Sequence, residues 1–90
     1  MKLNRPAKAG SLESNDILIQ VYPADELSIS IESPVKQQFG EEIERVIRET
    51  LKELGIDQIK LMAQDRGALN FAIRARVRTA IERGSEEWRD

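Results

Sequence analysis

The sequence contains neither histidine nor cysteine. A Ser–His relay, an imidazole metal ligand, a thiolate nucleophile and a thioester on the chain's own sulfur are therefore all out of reach. Hydroxyls, carboxylates and guanidinium groups remain, and they gather in two places. One is "ESND" (13–16), where Ser14, Asn15 and Asp16 stand together ahead of an apolar run. The other is the stretch 66–83, with Arg66, Arg74, Arg76, Arg78 and Arg83 against one acid, Glu82. No acid–base constellation accompanies the serine, and no carboxylate spacing suggests a metal site. A stand-alone enzyme is disfavoured.

Asparagine tolerates left-handed backbone angles, and serine and aspartate accept local backbone hydrogen bonds, so "ESND" reads as a turn. Ser14 then sits at an exposed tip, open to another protein. Residue types alone leave three readings open: an ordinary turn serine, an attachment point, or a phosphorylation site with no neighbouring arginine cluster to receive the phosphate. Asp16 either caps the turn or contacts a partner, and capping is favoured. In the basic stretch, Arg74 and Arg78 fall on a solvated helix face. Arg76, at about 100° per residue, falls inside the apolar stripe between Leu69 and Ala72. It must snorkel, pair with a carboxylate or meet a partner. "RAR" (74–76) is accordingly a candidate contact for a partner subunit or for phosphates, through charge-assisted bonds.

These residues need elements to hold them. "DILIQVY" (16–22) alternates Ile17, Ile19 and Val21 with Leu18, Gln20 and Tyr22, and "LSISIE" (27–32) alternates more cleanly; both read as strands. "PADE" (23–26) reads as the turn that makes them an antiparallel pair. Residues 34–54 carry Val35, Phe39, Ile43, Val46, Ile47, Thr50, Leu51 and Leu54 at helical spacing. Ser33 is the expected N-cap, Pro34 the first helical residue and Gly55 the residue just past the end. Glu41–Arg45 and Glu44–Arg48 are expected i,i+4 pairs. "QIKLMA" (58–63) is a further strand, "QDRG" (64–67) a turn in which Gly67 and Asp65 are structural, and 68–83 a second helix burying Leu69, Ile73, Val77, Ala80 and Ile81. If residues 9–13 pair back on 16–21, they add a short N-terminal strand. The expected fold is α+β: a small antiparallel or mixed sheet of three to four strands, order ββαβα, with two helices on one face.

Ninety residues make one domain, here 1–90, with 1–8 and 84–90 expected to be loose tails. A chain of this size buries only about 60% of its unfolded surface, too little for a deep all-protein active site. With 14 basic and 16 acidic residues there is no excess of positive charge for general nucleic-acid binding. The opening "MKLNRPAKAG" has no apolar signal core and no run of 18 apolar residues occurs, so neither secretion nor a membrane span is expected; the cytoplasm is the default compartment.

Three segments in order, "AGSLESNDILIQV" (9–21), "VKQQFGEEI" (35–43) and "DRGALNFAIRARV" (65–77), resemble the citrate lyase acyl carrier protein family, the small γ subunit of that enzyme. The resemblance runs from about Ala9 to Arg83. Asn15 stands where the family has glycine or another small residue, and a left-handed turn accepts either. The resemblance implies that Ser14 carries a covalent 2'-(5''-phosphoribosyl)-3'-dephospho-CoA group, attached by a separate prosthetic-group transferase. The thiol of that group would hold an acetyl unit. The α subunit would exchange acetate for citrate on it, and the β subunit would cleave the citryl thioester to oxaloacetate. On this reading the chain is a non-catalytic carrier of citrate fermentation, with Asp16, Arg74 and Arg76 as candidate partner or phosphate contacts, no metal, no nucleic acid and no membrane. The absent cysteine fits, because the sulfur arrives with the cofactor. The malonate decarboxylase carrier, which uses the same group, is the nearest rival. A small RNA- or protein-binding α+β domain is the alternative from another class.

Overall fold

The computed structural model describes residues 2–85, the side chains of Lys36 and Gln37 excepted. Trp88 and the polar tail around it lie outside the described residues. The chain runs β1 (Ala7–Gly10), β2 (Ile17–Pro23), β3 (Ser28–Glu32), α1 (Lys36–Glu53), β4 (Ile59–Asp65) and α2 (Asn70–Gly84). This is the expected α+β order, with the short N-terminal strand present.

Strand alternation sets the core. Ile17, Ile19 and Val21 of β2 and Ile59 and Leu61 of β4 are fully buried on the face that the helices cover. They meet Val46, Ile47 and Leu51 of α1 and Ile73, Val77, Ala80 and Ile81 of α2. On the other face the register sets Tyr22 beside Lys60 and Gln20 beside Met62. The Lys60 ammonium lies 5.9 Å from the Tyr22 ring centroid.

The sheet order is β1-β2-β4-β3, so the expected antiparallel pairing of 16–22 with 27–32 does not form. β4 enters between them, antiparallel to β2 and parallel to β3. The reason is burial. A β2–β3 hairpin would leave β4 at an edge, whereas the central position gives its apolar row a ladder on each side. The parallel β3–β4 pair then needs a long crossover, and α1 supplies it.

Other differences from expectation are local. α1 starts at Lys36 with Val35 at its N-cap and no side-chain cap. The Ser33 hydroxyl instead donates to Asp65 Oδ2 at 2.8 Å while accepting from the Val35 N–H at 3.2 Å. Arg45 pairs with Glu42 and Glu49 rather than Glu41, and Arg48 pairs with Glu44 as expected. Gly55 takes a positive φ of 70°, and the Gly55 and Ile56 N–H groups close on the Lys52 and Leu51 carbonyls. That is a Schellman end, and it matches the expected position. Near the N-terminus, residues expected to be loose are held. Leu3 is buried and bridges to Ser85, the Asn4 N–H donates to the Gly84 carbonyl at 2.8 Å, and Ala7 and Lys8 lie within β1.

β1 ends at Gly10, whose φ is +98°. A Cβ there would fall 1.8 Å from the Ile17 carbonyl oxygen. Gly10→Ala is therefore expected to cost more than about 1 kcal/mol, measured as a lowered urea midpoint. Ala72→Gly, on half-buried α2, serves as a comparison and should cost only about 1 kcal/mol.

Candidate functional site

Topology brings the turn-formers and both helix starts to one end of the sheet. Ile17, the first residue of β2, pairs with Asp65, the last of β4. Parallel β3 ends beside it, with Glu32 opposite Gln64. The β1–β2 connection, the entry to α1 and the entry to α2 therefore emerge together.

Residues 11–16 form that first connection. Its strands pair as Ala7–Gly10 with Leu18–Val21, so the loop is longer than the four residues expected. Within it "ESND" is a β-turn, closed by the Asp16 N–H on the Glu13 carbonyl at 3.1 Å. Asn15, third in the turn, has φ +67°, the left-handed value that suits asparagine or glycine at this position. Ser14 is second in the turn and exposed, and its hydroxyl makes no hydrogen bond to any described residue.

The turn is clipped to β4 and to α2. The Asn15 N–H donates to the Arg66 carbonyl at 2.7 Å, and the Arg66 N–H donates to the Asp16 carbonyl at 2.9 Å. These two bonds extend the β2–β4 ladder past its last strand pair. Gly67, with φ +92°, lies against Asn15; a Cβ on it would meet Asn15 Oδ1 at 3.5 Å.

The Asp16 carboxylate holds the loop from below. Its Oδ1 accepts from the Ile17 N–H at 2.7 Å and from Arg76 Nε at 3.1 Å. Its Oδ2 accepts from the Ser11 hydroxyl at 2.6 Å and from an Arg76 terminal nitrogen at 2.9 Å. The Arg76 fork comes first among the causes that hold the Asp16 carboxyl at about 2, below its ordinary 3.8, with the Ser11 hydroxyl next. The misplaced arginine of the apolar stripe thus pairs with a carboxylate, and the capping role expected of Asp16 is present alongside that pair. Gly10 leaves room for it, since its Cβ position is 3.3 Å from Arg76 Cδ.

Arg74 is not brought to this cluster; it pairs with Glu49 of α1 at 3.3 Å. Arg78 reaches Glu53 at 3.6 Å, Arg66 reaches Glu32 at 3.1 Å, and Arg83 donates to the Lys8 carbonyl at 2.9 Å. Every arginine of the basic stretch therefore has a partner within the chain, and the stretch is not a free cationic surface. Sequence reasoning missed Ser11 and the Ser33–Asp65 pair. Ser11, five residues before Asp16 in the same connection, carried a weak signal; Ser33 and Asp65 lie 32 apart and carried none. Buried Asp65 also accepts the Ala68 N–H at 2.9 Å and so fixes the entry to α2.

The result is an exposed, unengaged hydroxyl on a turn tied to β4 and to α2. The chain matches the acyl carrier protein family model described as malonate decarboxylase delta subunit, over residues 4–84. It is 44% identical to the citrate lyase acyl carrier protein of Halothermothrix orenii over 96% of this chain and 93% of that one. It is 46% identical to the citrate lyase acyl carrier protein of Haemophilus influenzae strain PittEE over 97% and 92%. This chain belongs to the citrate lyase acyl carrier protein family. In fold it is also similar to a chain of the Pseudomonas malonate decarboxylase hetero-tetramer, with TM-score 0.77 and 18% identity, covering 94% of this chain and 93% of that one. Among the described residues no helix is long and apolar enough to cross a membrane.

The Asp16–Arg76 clamp generates a signed prediction. A carboxyl depressed in the folded state stabilises above its unfolded pKa of 3.8 and loses that contribution as pH falls through about 2. Asp16→Asn is expected to cost about 1–2 kcal/mol at pH 7, after allowance for the partly exposed Arg76. For a domain of this size that corresponds to a melting temperature lower by roughly 4–16 °C. The gap between wild type and variant should narrow progressively below pH 4, which urea titrations at several pH values would check.

Proposed function

We propose that this chain is the acyl carrier subunit of a citrate lyase, bearing 2'-(5''-phosphoribosyl)-3'-dephospho-CoA through a phosphoester on Ser14. One observation carries the reading: the exposed, unbonded Ser14 hydroxyl at the tip of a turn held by Asp16, Arg66 and Arg76. The family membership gives it a context in which a carrier needs such a serine.

The residues present fit a tethered group. A transferase must reach the serine oxygen from solvent, and the second position of an exposed turn allows that approach. Neither a base nor an oxyanion hole is needed on this chain, because the joining is done by another protein. When bound, the group supplies the thiol that the sequence lacks, as the carrier of an acyl thioester. What the chain itself does is hold the tether's root. Asp16 takes four donors and keeps the loop from rearranging, while Asn15 and Arg66 fix its height above the sheet end. A tethered thioester visits successive sites at an effective concentration of about millimolar, independent of the concentration of free acyl carriers.

The partners on this reading are the α subunit (acyl transfer), the β subunit (citryl cleavage) and the attaching transferase, in the cytoplasm. Asp16 and Arg76 are committed to each other, so they serve a partner or the phosphate through the loop they hold. Arg74, half exposed on α2, offers its free edge to a subunit surface. A malonate decarboxylase carrier is the second reading, favoured by the description of the matching family and by the similar chain of the Pseudomonas enzyme.

Intact mass and peptide mapping on the protein from its native source test the attachment. The expected result is added mass matching the prosthetic group on the Ser14 peptide, absent from Ser14→Ala, whose stability should change by less than about 0.5 kcal/mol. A bare chain within an active lyase would overturn it. Turnover of citrate or of malonate by the assembly co-purified with this chain decides between the two readings.

A further inference from the structure

Two large apolar side chains expected in the core are instead half exposed or more: Phe39 at 52% and Leu69 at 64%. Both stand at helix starts, in the first turn of α1 and just before α2, beyond the cover of the sheet. They flank an open groove of about 520 Å³. Val35, Phe39 and Ile43 form one wall, and Ala68, Leu69 and Ile73 form the other. The volume lies within the range of about 300–1,000 Å³ typical of small-molecule pockets. Gly67 lines the same groove and also lies against Asn15, the residue after Ser14.

We infer that this groove stows the thiol-bearing end of the arm attached at Ser14, keeping it from solvent between visits to partner active sites. The inference rests on the attachment proposed above. Three observations select this occupant. The groove opens beside the tether's root, joined to it through the Asn15–Arg66 hydrogen bond and the Gly67 contact, so the arm is present there at about millimolar effective concentration. Weak affinity is then enough for substantial occupancy. The walls are aliphatic and aromatic, which suits the gem-dimethyl and methylene groups of a pantetheine arm. The polar groups of the lining are buried Asp65, Asn70 and Glu42; Glu42 is already taken by Arg45 and Asn70, and among the described residues no lysine or arginine lines the groove. Asp65 takes its side-chain hydrogen bonds from the neutral Ser33 and Ala68 donors. Such a groove accepts an uncharged acetyl or free-thiol end and disfavours a carboxylated acyl group, which would lose its hydration there with no cation in the described lining to meet it, and would be released toward solvent and the partner subunit. The groove thus sorts the arm by cargo charge.

The test uses chain loaded at Ser14, with loading verified by intact mass, against unloaded chain. Amide spectra should show shifts at 39–43 and 67–73 in addition to 13–16 upon loading. Iodoacetamide should alkylate the deacetylated arm at least about twofold faster in Leu69→Ser or Phe39→Ser than in wild type, the ratio expected when effective concentration equals the dissociation constant. Both side chains are exposed, and unchanged melting curves would confirm that the variants fold. On unloaded chain, free S-acetyl-pantetheine should shift the groove amides and free S-succinyl-pantetheine should not. Verified loading with shifts confined to 13–16 and equal alkylation rates would overturn the stowage and leave the attachment standing. A groove whose variants instead lose affinity for a large subunit, with alkylation unchanged, is a protein-docking face, and the stowage fails. A bare Ser14 in an active native assembly removes both.

Discussion

One carboxylate organises the functional end of this molecule. Asp16 receives a backbone N–H, a serine hydroxyl and both donors of one guanidinium edge, Nε and a terminal nitrogen of Arg76, which fill its two oxygens. A carboxylate so satisfied is held by charge-assisted bonds, each stronger than a neutral one. It joins β2 to the loop before it and to the middle of α2, 60 residues away. Remove that charge and the partly exposed Arg76 is left with no carboxylate beside it, while the turn carrying Ser14 loses its anchor to the helix layer.

The rest of the chain builds the platform on which that clamp works. β4 lies at the centre of the sheet because its apolar row needs cover and a ladder on both sides. Its last residue, Asp65, then stands where three connections emerge. Asp65 binds the Ser33 hydroxyl and the Ala68 N–H, and so it ties the entry of α1 to the entry of α2. Two aspartates, one partly buried and one buried, thereby set the whole end of the sheet. The exposed groove lies between the two helix starts that this carboxylate ties together.

The proposed division of labour between carrier and catalyst is also in keeping with composition. A chain of 90 residues with no histidine and no cysteine has neither the interior nor the side chains for a thioester site of its own. It can, however, present one serine rigidly. If Ser14 bears the proposed arm, rigidity matters because a tether shares its root with every geometry it explores; a wandering root would spread the arm's effective concentration over unproductive space. Four of the five arginines of the basic stretch pair with carboxylates and Arg83 with a backbone carbonyl, so most of their charge is met within the chain.

How much of this could be read beforehand depended on the range of the interactions. Period-2 alternation in 17–22, helical spacing in 43–51 and the glycine at 55 are local, and each element appears close to where its pattern stands. The turn at Ser14 was legible because Ser, Asn and Asp in succession favour a turn and Asn15 tolerates the left-handed angle it needs. Arg76 announced a problem, a charge on an apolar face, without naming its solution. That Asp16 is the solution, that β4 separates β2 from β3, and that Ser33 serves Asp65 rather than the helix start were decided only in three dimensions. Phe39 and Leu69 make the same point from the other side. Their helical phase marked them for the core, yet phase says which way a side chain points and not whether anything lies there to cover it. Backbone preference and hydrophobic period act within a few residues, so sequence by itself determined the elements and the exposed serine. Strand order, the clamp and the open groove arise from competition among distant surfaces for burial and for hydrogen-bond partners, and only the assembled structure resolves that competition.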